Sequence, residues 1–197
     1  MKIVVATRNR HKLAEIRALL ASLDLVAIDE IAPGAVLRED EPTFEANAMA
    51  KARQAVAATG LPAIGDDSGL EVDALGGEPG VLSARWSGEP CDDARNNAKL
   101  MERMRAVPAA ATSRRAARFR CAAAFIDPVR GIEIVRTGAC EGTIIDAPRG
   151  DGGFGYDPLF VVDGLGRTMA ELTPAEKNEI SHRAVAFRAL ARSLAPQ

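Results

Sequence analysis

Ile3-Val4-Val5-Ala6-Thr7, then the polar turn Arg8-Asn9-Arg10-His11-Lys12, then Leu13, Ile16, Leu19, Leu20 and Leu23: this stretch decides the fold. The unbroken apolar run reads as a strand buried on both faces, since a strand with one wet face would alternate. The later apolar residues recur every three or four positions, the repeat of one helix face. Leu25 to Ile28 is apolar again, so the opening predicts a β-α-β unit and an α/β protein. Outward from there, alanine-rich Thr43 to Thr59 predicts a helix stopped by Gly60, and Leu61 to Gly65 a short strand running into Asp66-Asp67-Ser68-Gly69. Asp92 to Val107 predicts a helix ended by Pro108. Phe119 to Ile126 and Ile132 to Cys140 flank Asp127-Pro128-Val129-Arg130-Gly131 as an antiparallel hairpin, and Leu159 to Val162 is a further strand. A mixed sheet with helices around it is the expected architecture.

The C-terminus is predicted helical from Thr173, with Thr173 and Glu176 forming a capping box around Pro174. Lys177, His182 and Arg183 could not share a face of one unbroken helix, because five residues rotate by about 140° and six by about 240°. A break is therefore expected near Asn178 to Ser181, with Ser181 capping a second helix that carries Ala184, Phe187, Leu190 and Leu194.

Composition bounds the function. At 197 residues, 47% hydrophobic and 26% charged, the chain is long enough to bury a core without disulfides, and it lacks the composition of a disordered chain. The 25 basic and 27 acidic residues give a net charge of -2, which argues against a nucleic-acid or membrane-surface binder working by bulk positive charge. Cys91, Cys121 and Cys140, with His11 and His182, are too scattered for structural zinc. The odd cysteine number, the lack of a leader and the lack of a membrane-length apolar run lead to the expectation of a cytoplasmic protein with no membrane partner.

Several groups could carry chemistry. Thr7, Arg8, Asn9, Arg10, His11 and Lys12 sit where a strand hands over to a helix, whose first N–H groups form an anion site; the alternative is that Asn9 merely caps the helix. Asp66 and Asp67 follow a strand, and on an extended chain they point to opposite sides, so one of the two is expected to face a ligand. With Glu39-Asp40-Glu41 they form a second source of carboxylates, and one acid from each segment would suit magnesium, which takes one or two carboxylates plus substrate phosphates. Lys51 has no function readable from its spacing. Gly150 to Pro158 holds four glycines in its first six positions, and Phe154 and Tyr156 there either stack on a base or pack in the core.

Together, Thr7-x-Asn9-x-x-Lys12, Thr43-Phe44-x-x-Asn47-Ala48-x-x-Lys51-Ala52, Asp66-Asp67-Ser68-Gly69-Leu70, Gly76-Gly77-x-Pro79-Gly80-x-x-Ser83-Ala84-Arg85, Gly153-Phe154-Gly155-Tyr156-Asp157-Pro158 and Ser181-His182-Arg183 resemble the inosine triphosphate pyrophosphatase-like family, in order and over nearly the whole chain. The resemblance implies one domain over residues 1–197, a long mixed twisted sheet with flanking helices forming two lobes around a nucleotide cleft, and a magnesium-dependent homodimer. Its reaction would be hydrolysis of inosine, deoxyinosine and xanthosine triphosphates to the monophosphate and pyrophosphate. It implies Asp67 as catalytic base, Glu39 and Asp67 as magnesium ligands, and Ser68 as a substrate contact. It further implies Thr7 to Lys12, Lys51 and Lys177 on the phosphates, Phe154, Gly155, Tyr156 and Asp157 around base and sugar, and His182 and Arg183 reading the base. The competing readings are a pyrophosphatase for modified pyrimidine nucleotides, a non-catalytic nucleotide sensor, and a nucleic-acid module built on Arg114-Arg115-x-x-Arg118-x-Arg120.

Overall fold

The computed structural model describes residues 1–107 and 115–194. Pro108 and Arg114 lie outside them. Six strands, β1 (Lys2–Val5), β2 (Asp24–Ala27), β3 (Ala63–Val72), β4 (Ala116–Asp127), β5 (Ile132–Ile144) and β6 (Phe160–Val162), form one sheet in the order β2-β1-β3-β4-β5-β6. β1 runs parallel to β2 and β3, whereas β5 and β6 are antiparallel, so the sheet is mixed. The helices are α1 (Arg10–Leu19), α2 (Ile28–Ile31), α3 (Phe44–Thr59), α4 (Asp93–Met104), α5 (Pro174–Ile180) and α6 (His182–Leu194). The chain separates into two compact units: Met1–Ser68 with Cys121–Gly138 and His182–Gln197, and Gly69–Arg120 with Ala139–Ser181.

In the first unit β1 has both faces covered, which is why its sequence does not alternate. Ile3 and Val5 pack with Ile16 of α1 and Leu20 just after it, Phe125 of β4, and Phe187 and Leu190 of α6. Val4 and Ala6 pack the opposite way, with Ile28, Ala55 and Ala63. The alanines of α3 have a steric reason. A Cβ on Gly65 would lie 2.1 Å from the Ala48 carbonyl oxygen and 2.9 Å from the Ala52 nitrogen, so β3 and α3 touch backbone to backbone, and Ala48, Ala52 and Ala55 are wholly buried. Asn47 and Lys51 belong to the same buried set on α3. The start of α6 is held as closely, since a Cβ on Gly138 of β5 would meet the His182 carbonyl oxygen at 2.3 Å and the Ala186 nitrogen at 2.5 Å.

The second unit has its own core, including Leu70, Val72, Leu100, Met104, Phe119, Tyr156, Phe160 and Met169. The expected stops and caps are present: Gly60 takes the left-handed conformation after α3, and Thr173 and Glu176 close a capping box with Pro174 in the first turn. Thr43, expected inside α3, instead caps it, accepting from Ala46 N at 3.1 Å. The C-terminal break falls at Ser181, whose extended backbone separates α5 from α6. Two expectations need correction. Ile28 opens the short helix α2 instead of closing β2. The strand expected to stop at Gly65 continues through Asp66 and Asp67 to Val72, because the two carboxylates meet charged and polar partners where water would otherwise be needed.

Candidate active site

In the first unit, Asp66 and Asp67 point to opposite sides of β3 and each collects its own partners. Asp66 Oδ2 lies 3.3 Å from Lys12 Nζ and 3.4 Å from Arg183 Nη2. Asp67 Oδ2 accepts from Asn47 Nδ2 at 3.0 Å, while Oδ1 accepts from Ser68 N at 3.0 Å and lies 3.9 Å from Lys51 Nζ. Lys51 is also ion-paired to Glu39. Arg183, wholly buried, donates to Ser68 Oγ at 2.8 Å and to Glu15.

The electrostatics divide the two aspartates. Burial works against charge at Asp66, yet Lys12, Arg183 and Lys51 overcome it and hold the carboxyl well below its ordinary range. At Asp67 burial prevails: Lys51 and Lys12 offset it only in part, Glu39 and Asp66 add repulsion, and the carboxyl is pushed up to about 6. Lys51 is buried as well, but Asp66, Glu39 and Asp67 keep its ammonium form favoured. For Glu39, Lys51 and Lys12 outweigh burial and lower the carboxyl. The outcome is an Asp66 that stays charged well into acid beside an Asp67 raised towards neutrality.

The 7–12 segment divides between support and site. Asn9 Oδ1 accepts from His11 N and Lys12 N at 2.9 and 3.1 Å, and Thr7 Oγ1 accepts from Asn9 N at 3.2 Å, so the capping reading holds at the start of α1. Arg8 reaches Asp29 at 2.9 Å and the carbonyls of Pro33 and Ala35. Arg10 and His11 are exposed. Lys12 carries its charge to Asp66.

In the second unit, Phe154, Gly155, Tyr156 and Asp157 form a braced loop. Asp157 Oδ2 accepts from Phe154 N at 3.0 Å and from Lys177 Nζ at 2.6 Å, and Lys177 Nζ sits 4.7 Å from the centre of the Phe154 ring. A Cβ on Gly153 would strike Asp157 Oδ2 at 2.1 Å, and its φ of +73° adds a second reason for glycine there. Gly155 donates to Asp93 at 2.7 Å and accepts from Asn97 at 2.9 Å. Tyr156 is buried and donates from its hydroxyl to Ser83 O at 2.9 Å, so packing is its visible role. The arginine run considered for nucleic acid is taken up locally: Arg115 pairs with Asp146, Arg118 with Asp73 and Glu141, and Arg120 with Glu71.

The Ham1 family model matches residues 3–193. The chain belongs to the Ham1 family. It is 52% identical to a dITP/XTP pyrophosphatase of Nocardia farcinica, over 98% of this chain and 95% of that protein, and 49% identical to one of Geobacter sulfurreducens, over 96% and 94%. Among solved structures it is similar to a HAM1 protein from Coxiella burnetii (42% identity, TM-score 0.87) and to a nucleoside-triphosphatase / dITP/XTP pyrophosphatase from Mycobacterium abscessus (47%, TM-score 0.76), each over 98% of both chains. The mixed sheet with flanking helices is the Ham1 fold.

Among the described residues, Asp66, Glu15 and Asn47 join the cluster around Asp67 and Arg183 of this Ham1 chain without having been assigned a part in it. A signal existed for Glu15, which lies three positions after Lys12 and therefore on the same helix face. For Asp66 the alternation of the strand was the correct clue, but it left open which aspartate faces which partners. No described helix is long and apolar enough to cross a membrane.

Proposed function

We infer that this protein hydrolyses noncanonical purine nucleoside triphosphates, those of inosine, deoxyinosine and xanthosine, to the monophosphate and pyrophosphate. The observation that carries this is the cluster in which buried Asp67, with its carboxyl pushed up to about 6, and buried Lys51 meet half-buried Glu39, within the electrostatic reach of Lys12. Phosphoryl transfer needs positioning and charge neutralisation more than covalent help, and this set supplies both. At neutral pH Asp67 is mostly ionised, yet it is a stronger base than an ordinary carboxylate, which suits it to take a proton from the water that attacks the α-phosphorus. Lys12 and Lys51 stand ready for the departing pyrophosphate.

We propose magnesium as the cofactor. Among the described residues no three His, Cys, Asp or Glu side chains could hold a metal ion by themselves. Glu39 and Asp67, however, already flank a common cation, the Lys51 ammonium. Two carboxylates completed by substrate phosphates fit a magnesium ion. Its charge would neutralise the triphosphate and acidify the attacking water.

His182 and Arg183 are proposed to read the base, favouring the C6 oxygen of hypoxanthine and xanthine over the amino group of adenine; such a mismatch discriminates by up to ~10⁴ to 10⁵-fold. Arg183 already donates to Glu15, Asp66 and Ser68, which takes up three of the five N–H donors of its guanidinium. By the same motifs Ser68 contacts the substrate, Thr7 to Lys12, Lys51 and Lys177 hold phosphate, and Phe154 to Asp157 surround base and sugar. Homodimerisation and a cytoplasmic location belong to the proposal on the resemblance; light scattering on the purified protein tests the first.

The test is a panel of inosine, xanthosine, guanosine and adenosine triphosphates, with and without magnesium, in which pyrophosphate is measured separately from orthophosphate. Asp67→Asn should abolish nearly all turnover and keep nucleotide binding. Equal turnover of all four nucleotides, or full activity of Asp67→Asn, overturns the reading.

A further inference from the structure

Asn47 is wholly buried on α3, one turn before Lys51, and the chemistry above makes no use of it. Its amide makes three hydrogen bonds. Nδ2 donates to Asp67 Oδ2 at 3.0 Å and to Glu41 O at 3.2 Å, and Oδ1 accepts from Glu41 N at 3.0 Å. The opposite orientation would set the amide oxygen against two oxygens and its NH₂ against an N–H, so the partners dictate which way the amide points. Both backbone groups of Glu41 are thereby tied to α3, two residues after Glu39. The remaining N–H holds one edge of the Asp67 carboxylate and leaves Oδ1 facing Ser68 N and Lys51.

We propose that Asn47 is a positioning residue for the reaction, clipping the Glu39–Glu41 segment and the Asp67 carboxylate to one rigid helix so that Glu39 and Asp67 are presented together to a divalent cation. The proposal rests on the reading of Asp67 and Glu39 given above. α3 is a suitable anchor, because its backbone contact with β3 at Gly65 leaves it no freedom to slide. A residue needed only for packing could be replaced by leucine, which has the same branched outline without polar atoms, whereas a clip requires two donors and an acceptor.

The experiment compares full-length Asn47→Leu and Asn47→Asp with the unmodified protein and with Asp67→Asn. It measures kcat and KM for inosine triphosphate, thermal stability, and Mn²⁺ retention by electron paramagnetic resonance with a non-hydrolysable α,β-methylene inosine triphosphate. Loss of a partner that orients a metal ligand costs about 10 to 100-fold, so Asn47→Leu should lose that much kcat and Mn²⁺ affinity while KM stays within about threefold. Asn47→Asp, which keeps the shape but sets a second carboxylate against Asp67, should lose more; it also carries the test if the leucine variant does not fold. A folded Asn47→Leu with unchanged kcat and Mn²⁺ retention, or an Asn47→Asp as active as the unmodified protein, overturns the proposal. Full turnover by Asp67→Asn would instead refute the reading of the site beneath it.

Discussion

Gly65→Ala adds one methyl group where β3 and α3 meet, and its cost can be worked from the structure. The new Cβ would stand 2.1 Å from the Ala48 carbonyl oxygen, 2.9 Å from the Ala52 nitrogen and 3.1 Å from the Ala48 carbonyl carbon. All three atoms are backbone, so no side chain can swing away. An ordinary contact requires the helix to retreat from the strand by roughly 1 to 1.5 Å. Overpacking of this kind costs typically about 1 to 3 kcal/mol, which for a chain of this size lowers Tm by roughly 2 to 12 °C. The same displacement carries Asn47 and Lys51 away from Asp67, and a misplacement of about 1 Å can cost about 10²-fold in rate. Gly60→Ala is the control: its φ of +69° gives backbone strain of about 1 kcal/mol, but nothing lies within 4 Å of the added Cβ. Calorimetry and pyrophosphate release from inosine triphosphate should therefore show Gly65→Ala losing stability and rate together, and Gly60→Ala losing stability only. A Gly65→Ala protein with unchanged kcat would refute the claim that the backbone contact sets the site.

Asp66→Asn should be destabilised by up to about 3 to 5 kcal/mol at pH 7, because half-buried Lys12 would lose its carboxylate partner and buried Arg183 would keep only Glu15. The sign in pH follows from the lowered carboxyl: the stabilisation is complete above its ordinary value of 3.8 and disappears as pH falls towards the depressed native value, so chemical denaturation of variant and parent should converge in acid. A gap that persists at low pH would show that packing, not charge, is lost. The thiols make a third prediction. Cys91 is exposed, whereas burial pushes Cys121 up to about 12 and Cys140 up to about 11, so a disulfide reagent at pH 8 should label Cys91 in the native protein and the other two only after denaturation. Rapid labelling of Cys121 in the folded state would contradict the packing around β4.

Much of the scaffold was legible because it is encoded locally. The break at Ser181 followed from helix rotation once Lys177, His182 and Arg183 were supposed to act together, since they could not share a face of one unbroken helix. The end of α3 followed from Gly60, recognisable as a C-terminal stop. The length of β3 was not legible: polar Asp66-Asp67-Ser68 reads as the end of a strand until its partners are known. Nor did the role of Asn47 announce itself, because its partners Glu41 and Asp67 are brought to it by a loop on one side and a neighbouring strand on the other.

What the sequence determined by itself, then, was periodicity, capping and the order of the motifs, all of which depend on neighbours along the chain. The tertiary structure decided the charge states. Lys12, Asp66 and Arg183 come from three separate segments, as do Glu39, Lys51 and Asp67, and the sign and size of each carboxyl's shift depend on distances that only the fold establishes. Coulomb energy scales inversely with separation and with the local dielectric, so two adjacent aspartates of identical chemistry become one anion well into acid and one base near neutrality.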